Sequence, residues 1–348
     1  MDKSTLASFL DPRVFELIVL PTEQCNFRCT YCYEDFEIGQ MQANTVEAIK
    51  RLILRRLPKV ERFILTWFGG EPLMAKGIVY ELCAFAQSEC DKAGIQFWSN
   101  MTTNAFGLDR GTFETLSRLG MNKYQITLDG DEEEHNKTRK LINGRGSFER
   151  IWGNLLAMRD SKEQFFAKLR LHVHKNNLDS VHELLVRLNA EFGADPRYLV
   201  FMKAVGNWGG ESVKQLDLLK DSRSVVAGFQ DLLESWGWYA ARPYGKNDTE
   251  FKPCYAAVPN SLVVRADGSL AKCTVAFHDA RNSIGRINDD GTVELEGEKM
   301  KQFMRGFESA DEDALTCPMK TMPKAATEIK VIRFEKKESI AERAALPV

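Results

Sequence analysis

Three cysteines stand close together near the start of the chain. Residues 21–35 read PTEQCNFRCTYCYED, which spaces Cys25, Cys29 and Cys32 as C-x3-C-x2-C and sets Tyr31 just before the last. Three thiolates on one short loop can hold three irons of a cubane cluster and leave the fourth iron open to a small molecule. Structural zinc fits poorly, because it asks for four ligands, usually from CxxC pairs. A disulfide framework also fits poorly in a long chain with no secretory signal. Of the other cysteines, Cys83 and Cys90 lie seven apart on an apolar stripe and read as core packing. Cys254, Cys273 and Cys317 come late in the chain, the first two on either side of an Asp267–Gly268 turn.

The elements that must position these groups alternate along the first 200 residues or so. Strands are expected at residues 14–20, 63–68, 97–102, 123–129, 168–174 and 198–202. Amphipathic helices fill the gaps. Val46, Ile49 and Ile53 face inward on the first, with Asn44 and Glu47 as its capping box. Val79, Leu82, Ala86 and Cys90 line the second, which Gly94 ends. Phe113 and Leu116 mark the third, closed by Gly120. Phe148, Ile151, Leu155 and Met158 mark the fourth, with Ser147 as N-cap. Val181, Leu184, Leu185 and Leu188 mark the fifth. Repeated βα units imply an α/β fold with a parallel sheet and right-handed crossovers.

Two strands show which face does chemistry. Tyr124, Ile126 and Leu128 alternate with Gln125, Thr127 and Asp129; Leu169, Leu171 and Val173 alternate with Arg170, His172 and His174. The apolar sets should face the helices and the polar sets a barrel lumen, which makes that lumen a reaction chamber. The acidic run from Asp131 to Glu134 reads as a solvated loop.

Composition narrows the function classes. A chain of 348 residues suggests two domains, and 44% hydrophobic content supports an ordinary core. A formal net charge of −2 gives no reason for non-specific nucleic-acid binding. No signal peptide and no membrane span is indicated. Eight cysteines in such a chain suit a reducing compartment, hence the cytoplasm, and metal.

The cysteine loop resembles that of the radical S-adenosylmethionine (SAM) superfamily, and three later stretches resemble its other motifs. FGGEPL, with Gly69, Gly70 and Glu71, is similar to the GGE stretch that contacts the SAM amino group. Thr103 and Asn104 fall in a TNA stretch where the family has TNG. Gln125, Thr127 and Asp129 match its QxSxDG strand, with threonine for serine. Arg139 ends an H-x3-R stretch begun by His135. The resemblance implies a partial (β/α)6 TIM-like barrel. It implies a 4Fe–4S cluster on Cys25, Cys29 and Cys32, whose electron cleaves SAM to a 5′-deoxyadenosyl radical. Tyr31, Gly69, Gly70, Glu71, Thr103, Asn104, Gln125, Thr127, Asp129 and Arg139 are then expected at the SAM site, with Asp129 and the three cysteines catalytic.

The late cysteines resemble the opening of SPASM or twitch extensions, in a truncated form. That resemblance implies one auxiliary 4Fe–4S cluster on Cys254, Cys273 and Cys317; the alternative is a set of buried apolar thiols. The expected layout is a barrel over residues 1–215, a helical connector over 216–250, and a small α+β auxiliary-cluster domain with a tail over 251–348. A hairpin is expected there, with strands at 262–265 and 270–275, and a helix carrying Met300, Phe303, Met304 and Phe307. From Thr321 the chain is expected to fray. The implied substrate is a peptide or protein side chain, as in the maturation of ribosomally made precursor peptides, with a flavodoxin- or ferredoxin-type electron donor. The rival readings are dehydrogenation of a small alcohol such as an aminocyclitol, and a non-enzymatic iron–sulfur electron carrier.

Overall fold

The computed structural model describes residues 3–208, 213–214, 216–238 and 252–323. Gly209 and Gly210, glycines expected to break structure after the sixth strand, and nearly all of the tail lie outside the described residues. In chain order the first elements are α1 (Lys3–Ser8), β1 (Val14–Val19), β2 (Phe27–Cys29), α2 (Ala43–Arg56), β3 (Arg62–Trp67), α3 (Lys76–Ala93) and β4 (Gln96–Thr103). Next come α4 (Arg110–Arg118), β5 (Met121–Leu128), α5 (Glu132–Thr138), β6 (Arg139–Leu141), α6 (Phe148–Arg159), β7 (Phe166–Val173), α7 (Leu178–Phe192) and β8 (Tyr198–Ala204). The remainder is α8 (Ser222–Ser235), β9 (Ser261–Val264), β10 (Ser269–Ala271), β11 (Ser283–Ile287), β12 (Val293–Leu295), α9 (Gly297–Ser309), α10 (Glu312–Thr316) and α11 (Pro318–Thr321).

The six expected strands form one parallel sheet in the order β1-β3-β4-β5-β7-β8, and the α/β fold is an open partial barrel. Each βα unit buries its helix stripe against the sheet. Val79, Leu82, Ala86 and Cys90 of α3 are buried, as are Val181, Leu184, Leu185 and Leu188 of α7. Cys83 and Cys90 are wholly inside this core. Gly94 ends α3 in the left-handed region, at φ 68°.

Several local expectations are corrected. Asn44 lies inside α2, whose N-cap is Gln42 with no side-chain bond; Glu47 is turned outward to Lys50 at 2.6 Å. Ser147 does precede α6, yet its hydroxyl donates to Arg139 O at 2.6 Å instead of capping the helix. The acidic run is not a loop: Asp131 accepts from Glu134 N and starts α5. The return strand β10 stops at Ala271, because Asn282 Oδ1 accepts from the main-chain N–H groups of Lys272 and Cys273 and draws them out of the sheet.

The largest unforeseen feature is a pairing. β9 runs parallel to β1, from Glu16↔Ser261 to Val19↔Val264, and β10, β11 and β12 follow antiparallel. The late hairpin thus extends the barrel's own sheet to ten strands among the described residues.

Candidate active site

The cysteine loop leaves the end of β1 and is gripped from two sides. On one side β2 pairs antiparallel with β6, which sets Arg139 opposite Cys29. Thr30 N donates to Thr138 O and lengthens the pairing. On the other side the ends of β3 and β4 press against the loop. Gly69 sits at φ 115°, and a Cβ there would stand 2.3 Å from Thr22 O; a Cβ on Gly70 would stand 2.4 Å from Gln24 O. Only glycine permits this approach of two backbones. Glu71 N then donates to Gln24 O at 3.0 Å, and Asn104 Nδ2 to Asn26 Oδ1 at 2.8 Å.

Glu71 is buried, and its carboxylate is fully engaged. It accepts from Thr103 Oγ1 at 2.7 Å, Asn104 N at 2.6 Å and Leu73 N at 3.0 Å. Its side chain therefore ties the end of β3 to the end of β4. This is a bracing role that the motif's spacing alone does not disclose.

Burial pushes the thiols of Cys25 and Cys32 up to about 12, and the charge of neighbouring Cys29 adds to both shifts. Cys29 is raised by burial as well, against the pull of Arg139. The three thiols thus feel one another, and deprotonating them together needs nearby positive charge. Iron supplies that charge on ligation, so the donor set fits a cluster that binds as thiolates. Among the described residues no three His, Cys, Asp or Glu side chains close around a point as ligands of a single metal ion do.

Beside the loop lies a buried polar group built from four elements. Tyr31 OH donates to Asp129 Oδ2 at 2.6 Å, and Thr138 Oγ1 donates to the same oxygen at 2.8 Å. Arg139 Nη1 donates to Tyr31 OH at 2.7 Å. His172 packs edge-on against the Tyr31 ring, with Nδ1 3.6 Å from Asp129 Oδ1. Asn177 Nδ2 donates to Asp129 O and His172 O, which fixes the ends of β5 and β7 together. Burial lowers the His172 pKa well below the ordinary range, and Arg170 and Arg139 add to that, so the ring is neutral near pH 7. Asp129 Oδ1, Arg139 Nε and His172 Nδ1 are buried without a hydrogen-bond partner. Orphaned groups of this kind, with Asp129 and His172 at the C-terminal ends of barrel strands and Arg139 at the start of β6 beside them, suit a polar ligand between them.

The remaining expected residues line the lumen below. Arg170 Nε donates to Thr127 Oγ1 at 3.0 Å. Gln125, with Thr66, Asn100, Thr102 and Lys168, lines a cavity of about 360 Å³. The lumen expectation holds for His172 but not for His174, whose Nε2 is turned to Glu134 of α5 at 3.6 Å. His135 is structural too: it is wholly buried against Ser147 Oγ at 3.1 Å.

Cys254, Cys273 and Cys317 form a second group. Burial raises the Cys254 thiol to about 11, with Cys273 and Cys317 adding their charge. Cys254 N donates to Leu315 O at 2.8 Å, which holds it to the end of α10, where Cys317 begins the next turn. This group touches the cysteine loop. Tyr33 OH donates to Thr274 O at 3.1 Å, and Thr274 N donates to Tyr255 OH at 2.9 Å. The residues after Cys32, Cys254 and Cys273 thus meet in one knot. Arg265 of the hairpin clasps buried Glu23 through Nη2–Oε2 at 2.6 Å and Nε–Oε1 at 3.1 Å. Sequence reasoning missed Tyr33, Glu23 and Arg265, since no spacing links residues 242 apart.

Residues 19–188 match the Radical SAM superfamily. The Fe-coproporphyrin III synthase of Methanosarcina barkeri is 26% identical over 205 residues, 59% of this chain and 48% of that protein. The chain thus spans about half the length of that relative. The cysteine-type anaerobic sulfatase-maturating enzyme of Clostridium perfringens is 23% identical over 334 residues, 86% of this chain and 85% of that one. Among solved structures, "Native anSMEcpe with bound AdoMet and Kp18Cys peptide" superposes with a TM-score of 0.66 at 18% identity, covering 84% of each chain. Streptococcus suis SuiB bound to precursor peptide SuiA superposes with a TM-score of 0.54 at 15% identity, covering 90% of this chain and 67% of that one. The family match falls on the cysteine loop and the strands that grip it, and the partial barrel is shared with both structures: residues 19–188 form a radical SAM domain.

Proposed function

We propose that this radical SAM enzyme modifies a residue of a peptide or protein, by cross-linking, epimerisation or oxidation, as in the maturation of ribosomally made peptides. The 4Fe–4S cluster and SAM supply, when bound, a 5′-deoxyadenosyl radical that takes hydrogen from the substrate residue. Cys25, Cys29 and Cys32 would hold the cluster. Gly69, Gly70 and Glu71 hold the loop in place, with Thr103 and Asn104 behind them. Tyr31, Gln125, Thr127, Asp129 and Arg139 would meet SAM. There Arg139 serves as a charged planar donor and Asp129 as an acceptor. An electron donor of the flavodoxin or ferredoxin type and a cytoplasmic setting complete the reading. Among the described residues no helix is long and apolar enough to cross a membrane.

The observation that carries the peptide reading is the second thiol group at the barrel rim, bonded through Tyr33 to the cysteine loop. A SPASM-like auxiliary cluster on Cys254, Cys273 and Cys317 could take an electron from the substrate and favour an oxidative outcome. Two solved structures of the same fold hold bound peptides, the Kp18Cys peptide in one and the precursor peptide SuiA in the other, which supports the substrate class. The test is mass spectrometry after anaerobic incubation with short peptides encoded beside the gene. A peptide that changes mass and raises 5′-deoxyadenosine release supports the reading. A small alcohol such as an aminocyclitol that alone does so overturns it.

Two residue-level outcomes follow. Arg139→Ala should weaken SAM binding by roughly 10- to 150-fold, the loss of a charge-assisted contact of about 1.5–3 kcal/mol. Unchanged affinity by titration, at unchanged iron content, removes Arg139 from the site. Protein lacking Cys25, Cys29 and Cys32 should still hold about four irons per chain after reconstitution, one cubane at the second thiol group. An iron-free variant makes those thiols structural.

A further inference from the structure

The ribbon of β2 and β6 has two faces. The inward face carries Cys29 and, opposite it, Arg139; the outward face carries Arg28 and, opposite it, Lys140, both exposed. Like charges in a direct cross-strand pair repel, so this placement works against the ribbon's own stability. The turn after β6 adds exposed Arg145, and Ile142, an aliphatic side chain that is 59% exposed.

None of these three cations forms an ion pair among the described residues. Glu133 and Glu134 of α5 hold Lys137 at 2.9 Å and 3.3 Å, and Asp35 is turned to His278 at 3.4 Å. Arg28 lies over the Phe36 ring and donates to Cys25 O and Phe27 O at 2.9 Å and 2.7 Å. The cationic face is therefore the back of the loop that carries Cys25 and Cys29. It is a local exception on a chain whose formal net charge is −2.

We propose that this face docks a small acidic protein that carries single electrons and delivers them to the cluster. The inference rests on the assignment of Cys25, Cys29 and Cys32 as cluster ligands. The carrier loses one electron and the cluster gains one, with no bond made or broken. A cationic rim around one exposed aliphatic residue suits an acidic partner: the charges steer the encounter, and Ile142 gives the docked pair a dry contact.

The probe is a bacterial flavodoxin reduced to its hydroquinone, mixed in stopped flow with reconstituted enzyme. The variant Lys140→Glu/Arg145→Glu spares Arg28, whose side chain braces the loop. At low ionic strength the bimolecular rate of flavodoxin oxidation should fall at least roughly 10-fold in the variant, and the gap should narrow in high salt. Iron content and dithionite-driven release of 5′-deoxyadenosine should match the parent, because dithionite needs no docking face. Equal bimolecular rates at low salt overturn the proposal, as does a parent that dithionite reduces and flavodoxin does not. Absence of 5′-deoxyadenosine from the parent under dithionite overturns the cluster assignment itself, and the docking proposal with it.

Discussion

Replacing Cys25, Cys29 and Cys32 together by alanine is expected to abolish release of 5′-deoxyadenosine from SAM in anaerobic protein supplied with dithionite. The expectation rests on a separation of roles within the loop. Its path is set by main-chain bonds from Glu71 to Gln24 and from Thr30 to Thr138, and by the β2–β6 pairing. None of these uses a thiol. The triple variant should therefore keep its fold while losing all three loop ligands of the cluster. Circular dichroism and the thermal midpoint report the first, and product chromatography the second. Undiminished 5′-deoxyadenosine from a folded triple variant would remove these cysteines from the reaction.

The second large effect needs only one methyl group. In Gly70→Ala the new Cβ would stand 2.4 Å from Gln24 O, 2.6 Å from Gln24 C and 2.7 Å from Glu23 O, all backbone atoms. No side chain can swing away, so either β3 or the loop must move, and Cys25 is the next residue of that loop. Overpacking of this kind costs about 1–3 kcal/mol. The displacement should also lower the iron retained after reconstitution, because three thiols must meet one cluster. Gly153→Ala is the control. Nothing lies within 4 Å of its added Cβ, and it sits mid-helix in α6, so it should be neutral or stabilising by up to about 1 kcal/mol. A Gly70→Ala protein with parental stability and iron content would show that the loop tolerates the shift.

How much of this was legible beforehand depended on whether the signal was local. The six parallel strands and their helices could be read because the apolar stripes of α3 and α7 repeat at helical spacing and the polar–apolar alternation of β5 and β7 at strand spacing. The convergence of Tyr31, Asp129 and Arg139 was legible through their motifs. The structure adds that Tyr31 is the hub, since it bonds both partners. The capping box at Asn44 failed because a short polar residue beside an apolar run fits a first helical turn as well as an N-cap. The role of Glu71 was hidden because its three donors come from β4 and the turn after β3, which no linear pattern pairs with it. The clasp of Arg265 on Glu23 was hidden for the same reason at greater range. Long-range partners are chosen by topology, and topology was not in the motifs.

The junction of β9 with β1 sets an order on biosynthesis. β1 leaves the ribosome well before its second neighbour, which lies far down the chain; Glu16 and Ser261 are 245 residues apart. Until β9 arrives, one edge of β1 offers unpaired N–H and C=O groups beside the apolar side chains of Ile18 and Leu20, both buried in the finished protein. An open apolar edge of this kind is a template for pairing with another chain. The nascent barrel is therefore exposed to aggregation until β9 emerges, and a fragment ended after β8 should precipitate where a chain that includes β9 to β12 stays dispersed.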